Sequence, residues 1–124
     1  MKIIAPTALA LTTLILAGCG GQQAAAPANP IAQCTTCHSF KPGAGGLSAP
    51  NLHGILGKAA ASQPNFKYSN AMKDSGIVWT AEKLDAYIAA PTALVPGTRM
   101  NFPGIADAAK RKAIIDYMQD EGSK

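Results

Sequence analysis

Large apolar side chains are scarce in this chain. From Cys19 onward Ile, Leu, Val and Phe supply 17 of 106 residues, about 16%, below the roughly 20% at which a polypeptide struggles to build a core. An interior made of side chains alone is therefore not expected, and something else should fill it. Charge is sparse too: charged residues make up 15% of the 124, with a net +4. The cations are scattered apart from Lys110, Arg111 and Lys112, which argues against a nucleic-acid partner. The length admits one small domain and excludes a multidomain enzyme. With two histidines and three cysteines, the choice of metal ligands is short, and no internal repeat is present.

The one long apolar run is N-terminal. Met1 and Lys2 form a minimal positive start, and Ile3 to Leu16 is apolar but too short to span a bilayer comfortably. Leu16, Ala17, Gly18 and Cys19 resemble the bacterial lipoprotein box, in which the cysteine is acylated and becomes the new N-terminus. An ordinary export signal with an incidental cysteine is the alternative. The division expected is a signal peptide over 1–18, an acylated Cys19 with a tether over 19–28, and a folded domain over 29–124. Acyl chains partition at ~0.8 kcal/mol per buried methylene, so two or more would anchor the protein lastingly. It would then sit on the periplasmic side of a membrane. Gly20 to Ala28 carries no charge, aromatic or periodicity, and if flexible spans about 15–18 Å.

Cys34, Thr35, Thr36, Cys37 and His38 form C-x-x-C-H, the attachment pattern of a c-type haem. Two thiols one helical turn apart add across the two vinyl groups, and the next residue offers an imidazole to the iron from the same side. Three other uses of these residues compete. A thioredoxin-like redox pair normally follows a strand, and no β-rich run precedes Cys34. Zinc needs four ligands, and only His53 remains. A structural disulfide across a two-residue gap closes almost no loop. Covalent haem also accounts for the missing core and the export signal.

The helical reading is all-α. Asn29 caps a short helix from Pro30 towards His38, with proline at the first helical position. Lys41 to Asn51 holds Pro42, Gly43, Gly45, Gly46 and Pro50 and reads as a loop. Ser69 caps a helix through Ser75 that Gly76 stops. Thr80 caps the next, with Leu84, Tyr87 and Ile88 on one face and Pro91 ending it. Asp107 begins the last, with Ala113, Ile114, Tyr117 and Met118 on a common stripe. No convincing strand pair is present.

Iron held by one histidine needs a second ligand or an open position. His53 lies fifteen residues after His38 across a Gly/Pro loop, an awkward reach, and reads as a surface histidine. Met72 and Met118 occupy helical positions where methionine usually packs as core. Met100 stands in the irregular segment Pro96 to Pro103, long enough to cross a porphyrin, and is the preferred candidate.

From about Asn29 to its end the chain resembles a class I cytochrome c of the mitochondrial-like branch. The resemblance rests on five segments in the family's order: Cys34 to His38; Ala49, Pro50, Asn51, Leu52, His53 and Gly54; Phe66, Lys67 and Tyr68; Gly76 to Trp79; and Pro96 to Phe102. It implies a few helices around one covalent haem c, thioether bonds at Cys34 and Cys37, and His38 as proximal ligand. The His38 Nδ1 proton would be held by the Pro50 carbonyl, which orients the ring. Met100 is implied as distal ligand with the Tyr87 hydroxyl near its sulfur. Tyr68, Trp79 and Thr98 are implied as hydrogen-bond donors to a haem propionate, and Ile114 and Tyr117 as packing the last helix across the first.

The departures bear on function. Ala26 and Pro30 stand where the family has a glycine and an aromatic. Lys58 replaces an arginine near a propionate, without its planar fork. Met72 replaces an asparagine near the sulfur ligand, so the potential need not equal the family's. The lysine ring of mitochondrial relatives is nearly gone, with Gln33, Leu47, Thr92, Ala106 and Asp107 at those places and Arg99 left. The expected activity is single-electron transfer between membrane complexes, from a quinol-oxidising complex to a terminal oxidase, in a respiratory or photosynthetic chain. The expected docking edge is Gln33, Leu47, Thr92 and Arg99. The competing activity is a peroxidase-type enzyme with a labile methionine.

Overall fold

A computed structural model describes residues 29–45 and 48–124. The expected signal, Cys19, the tether and Leu47 lie outside the described residues. Among the described residues four helices follow in order: α1 (Asn70–Asp74), α2 (Ala81–Ala89), α3 (Pro91–Leu94) and α4 (Ala108–Gly122). Among the described residues the only β feature is an isolated bridge between Ala59 and Val78, and no helix is long and apolar enough to cross a membrane.

Local chemistry accounts for where the helices begin. Ser69 accepts from Met72 N–H at 3.1 Å and Thr80 from Lys83 N–H at 3.2 Å. Asp107 Oδ1 takes the Ala109 and Lys110 amides at 2.9 and 3.2 Å. Each side chain satisfies a first-turn donor that has no partner within its helix. Gly76, at φ +65°, follows the Ser75 cap and turns the chain out of α1.

Two expectations need correction. The segment from Pro30 to His38 is a series of helical turns, not an uninterrupted helix. Thr35 N–H reaches Ile31 O at 3.1 Å and His38 N–H reaches Cys34 O at 2.9 Å. Between them the Thr35 and Thr36 hydroxyls take the carbonyls of Ala32 and Gln33 at 2.9 and 3.0 Å. These are the acceptors a continuous helix would offer to Thr36 and Cys37, so the two threonines compete with it. The second correction is at Pro91, which ends α2 but also opens α3 as its first residue, where its fixed φ and missing N–H cost nothing.

The core gathers Ile31, Phe40, Ile55, Met72, Trp79, Leu84, Tyr87, Ile88, Val95, Ile105, Ile114, Ile115 and Met118. Helix α4 lies against α2. Ile115 is buried beside Ile114, which the expected stripe omitted. Tyr117 meets Phe40 edge to face, with centroids 5.7 Å apart, joining α4 to the segment just past His38.

One polar staple crosses this packing. Arg111 Nε and Nη2 lie 2.7 and 3.4 Å from the Asp85 carboxylate, and Nη1 donates to Ile105 O and Ala106 O, both at 2.8 Å. The Arg111 side chain is only 13% exposed, whereas Asp85 is 43% exposed and can rehydrate if its partner is lost. Arg111→Met should therefore cost about 2 kcal/mol, less than breaking a fully buried pair. Thermal or denaturant unfolding measures it, and an unchanged midpoint would show that the staple contributes nothing.

Candidate functional site

The turn that carries the cysteines places them beside the histidine. Because His38 N–H closes on Cys34 O, His38 lies one turn after Cys34, with Cys37 adjacent. Both thiols are free, Cys34 half-buried and Cys37 exposed. Burial pushes the Cys34 thiol up from its ordinary value, so it rests protonated. His38 is aimed by a carbonyl twelve residues further on: Nδ1 lies 2.6 Å from Pro50 O. Burial lowers its basicity while that carbonyl opposes the shift. A neutral ring with Nδ1–H donated to a carbonyl leaves Nε2 as the nitrogen with a free lone pair.

The loop holding Pro50 is fastened at its far end. Leu52 N–H donates to Ser39 O at 2.8 Å. Asn51 Nδ2 donates to Lys41 O and Ala44 O, both at 2.7 Å, and Asn51 Oδ1 accepts from His53 N–H at 2.7 Å.

Met100 lies in the irregular stretch after α3. The Tyr87 hydroxyl and Thr98 Oγ1 are 2.5 Å apart, and Thr98 Oγ1 accepts from Met100 N–H at 3.3 Å. Tyr87 thus acts on the backbone of Met100 through Thr98. Burial pushes the Tyr87 phenol up, against the opposing effect of the Thr98 bond, so it remains a neutral hydroxyl. Gly97 has φ +88°, and a Cβ there would meet Ala71 Cβ at 3.2 Å, so α1 lies close against this loop. Ile105 N–H donates to Ile88 O at 2.9 Å, tying the loop's exit to α2.

Trp79 is buried with its ring 5.1 Å from that of Tyr87. Tyr68 is half-buried and stacks edge-on with Phe66 at 4.9 Å; burial raises its phenol, opposed by the Gln63 backbone. Met72 and Met118 are core side chains. His53 is not the surface histidine expected. It is half-buried, and its Nδ1 is sealed from solvent without a partner among the described residues. Gln33, Thr92, Arg99, Ala106 and Asp107 are exposed.

The residues fit a covalent haem on two counts. The donor set pairs two free thiols with an oriented imidazole and a thioether on a separate loop. In addition Cys34, Leu52, Tyr68, Leu94, Met100 and Phe102 pack against the core yet remain partly exposed, an apolar rim for a flat group to cover. A cavity of about 330 Å³ lies elsewhere, lined by Ser39, Pro50, Asn51, His53, Lys58 and Phe66 among others and by none of Cys34, Cys37, His38 and Met100.

The sequence reading assigned no role to Asn51, Gly104 or Arg111. Their partners are distant carbonyls and carboxylates, which no local spacing announces.

No family model matches the chain. Over 112 residues it is 39% identical to a cytochrome c2 of Blastochloris viridis, covering 88% of each chain. It is 44% identical over 87 residues to a c-type cytochrome cy of Rhodobacter capsulatus, spanning 68% of this chain and 42% of that protein. Among solved structures, cytochrome cH from Methylobacterium extorquens superposes with a TM-score of 0.68 at 37% identity, covering 73% of this chain and 91% of that one.

Proposed function

Because the chain belongs to the class I c-type cytochromes, electron-transfer proteins with one covalent haem c, we propose that it is a lipid-anchored carrier of single electrons between membrane redox complexes. The observation that carries the reading is the 2.6 Å contact between His38 Nδ1 and Pro50 O, which presets the tautomer a ligating imidazole needs. Cys34 and Cys37 would hold the haem through thioether bonds, and His38 would offer a nitrogen and Met100 a sulfur to its iron. Tyr68, Trp79 and Thr98 serve the propionates. When bound, the haem supplies an iron that changes by a single charge.

The protein's part is to leave little to rearrange when that charge changes. His38 is fixed through Pro50, and Met100 through Thr98 and Tyr87. Holding the His38 ring and the Met100 backbone in place would keep the rearrangement small when an electron is exchanged. Nothing in the comparisons supports the peroxidase alternative.

The donor is a quinol-oxidising complex and the acceptor a terminal oxidase, reached from the periplasmic side of the membrane with Cys19 acylated. The docking edge is Gln33, Leu47, Thr92 and Arg99. Of the described members, Gln33 and Thr92 are exposed and uncharged, and Arg99 is an exposed cation. A face with one charge gives little long-range steering, so docking relies on apolar contact and on the high local concentration a short tether provides. Oxidase turnover with this protein as electron donor should change less than about threefold between low and physiological ionic strength, and a steep loss with salt contradicts the docking reading. Cys19→Ala should move the protein from the membrane fraction to the soluble periplasm with its absorption spectrum unchanged; a variant still in the membrane fraction contradicts the anchor.

A further inference from the structure

We propose that Asn51 is a positioning residue for the proximal ligand: it locks the Pro50 carbonyl against His38 Nδ1 and so sets how strongly the imidazole donates to iron. The inference rests on the reading of His38 as that ligand.

Few motions can redirect the Pro50 carbonyl. The proline ring fixes φ of Pro50, so the direction of its C=O depends on ψ, the tilt of the peptide plane shared with Asn51. Whatever immobilises Asn51 therefore aims the oxygen. Packing is a poor agent here. The loop carries Gly43, Gly45 and Gly46, whose backbones have the most freedom to lose, and Gly43, Ala44, Ala49, Pro50 and Asn51 line the 330 Å³ cavity. Among the described residues, none presses on that wall from the cavity's open side.

Hydrogen bonds take the place of packing, and the Asn51 side chain makes three of them, all at 2.7 Å. Its Nδ2 spans two carbonyls on the entering arm of the loop, Lys41 and Ala44, and its Oδ1 holds the amide of His53 on the leaving arm. One amide thus clamps both arms, directly after the peptide plane that carries the Pro50 oxygen. The bond it aims is short, 2.6 Å, and a hydrogen bond weakens steeply as its alignment is lost.

The consequence for the iron has a definite sign. A strong Nδ1–H···O bond gives the ring partial imidazolate character and makes Nε2 a better donor, which favours the ferric state. Releasing the clamp weakens that bond and shifts the balance towards the ferrous state, raising the potential. A purely structural asparagine would lower stability and leave the potential where it was.

The test uses the holoprotein. Asn51→Leu keeps the side chain's branched shape and adds no charge, but offers neither a donor to Lys41 O and Ala44 O nor an acceptor to His53 N–H. Asn51→Ala removes all three bonds. Ile115→Ala, in α4, is the control, destabilising the core without removing a hydrogen bond of either loop. Redox titration should give a higher midpoint potential in both Asn51 variants and an unchanged one in Ile115→Ala. In the reduced protein, NMR should show the His38 Nδ1 proton exchanging about tenfold faster or more in the Asn51 variants alone. Wild-type values in the Asn51 variants overturn the proposal, as do shifts in all three variants that follow lost stability.

Should the Asn51 variants not accumulate, the wild-type protein decides. The His53 amide and the His38 Nδ1 proton should exchange through one common opening, with the same dependence on denaturant. Separate openings overturn the proposal. A wild-type protein without an imidazole–thioether spectrum removes the premise about His38 as well, a result distinct from a normal spectrum with unmoved Asn51 variants.

Discussion

Gly104→Ala is expected to destabilise the protein by on the order of 3–4 kcal/mol, the largest effect of a methyl group added at any of the described glycines. Gly104 has φ +93°, a conformation side chains rarely adopt, and an added Cβ would lie 2.1 Å from Ala89 O and 2.8 Å from Ala89 C. Both obstacles are backbone at the end of α2 and cannot swing aside as a flexible side chain would. For a domain of this size each kcal/mol moves the melting temperature by roughly 4–8 °C, so a drop of about 15–25 °C is expected. The damage is local before it is global. Ile105 N–H closes on Ile88 O directly after Gly104, so displacing the glycine loosens the exit of the loop that carries Met100. On heating, the spectral signature of methionine ligation should fade before the far-ultraviolet helical signal. Equal melting of variant and wild type contradicts the close approach.

The second large effect concerns the chain without its prosthetic group. Replacing both Cys34 and Cys37 with serine should yield a polypeptide with little helix and no cooperative melt. The reason lies in the composition: 17 large aliphatic or phenylalanine side chains in 106 residues are few for a self-sufficient core. Short elements compound the shortage, since α1 has five residues and α3 four, too few to persist without tertiary support. The partly exposed Leu52, Leu94 and Phe102 around the core gain burial only when something covers them. Circular dichroism and a thermal scan of the serine variant check this. A helical chain melting near the wild-type temperature contradicts it.

Legibility in the sequence divides along the range of the interaction. Ser69, Thr80 and Asp107 announce the starts of α1, α2 and α4 because a cap and its target amides lie within three residues of one another. The same holds for the cysteine–histidine motif, which a single turn assembles. The threonines between the cysteines spoil the expected first helix by a local effect too, but one that depends on hydroxyl rotamers rather than on hydrophobic period. Pro91 reads correctly as a stop and conceals a start, since the same ring suits both.

Long-range partnerships stayed hidden. Arg111 and Asp85 are 26 residues apart and look like two ordinary surface charges until α2 and α4 are packed. Gly104 gains its importance from Ala89, fifteen positions earlier, and Asn51 from carbonyls seven and ten residues away. His53, set aside as a ligand for its awkward reach, reads as a surface histidine, whereas the fold half-buries it and seals its Nδ1 from solvent.

The account's central claim is that one haem is held between His38 and Met100, and the ferric optical spectrum tests it most directly. The wild-type protein should be low-spin, with the long-wavelength charge-transfer band of methionine sulfur on ferric iron. That band should vanish in Met100→Ala and persist in Met72→Leu, whose methionine is core. A colourless wild-type protein, or a Met100→Ala variant that keeps the band, would contradict the account.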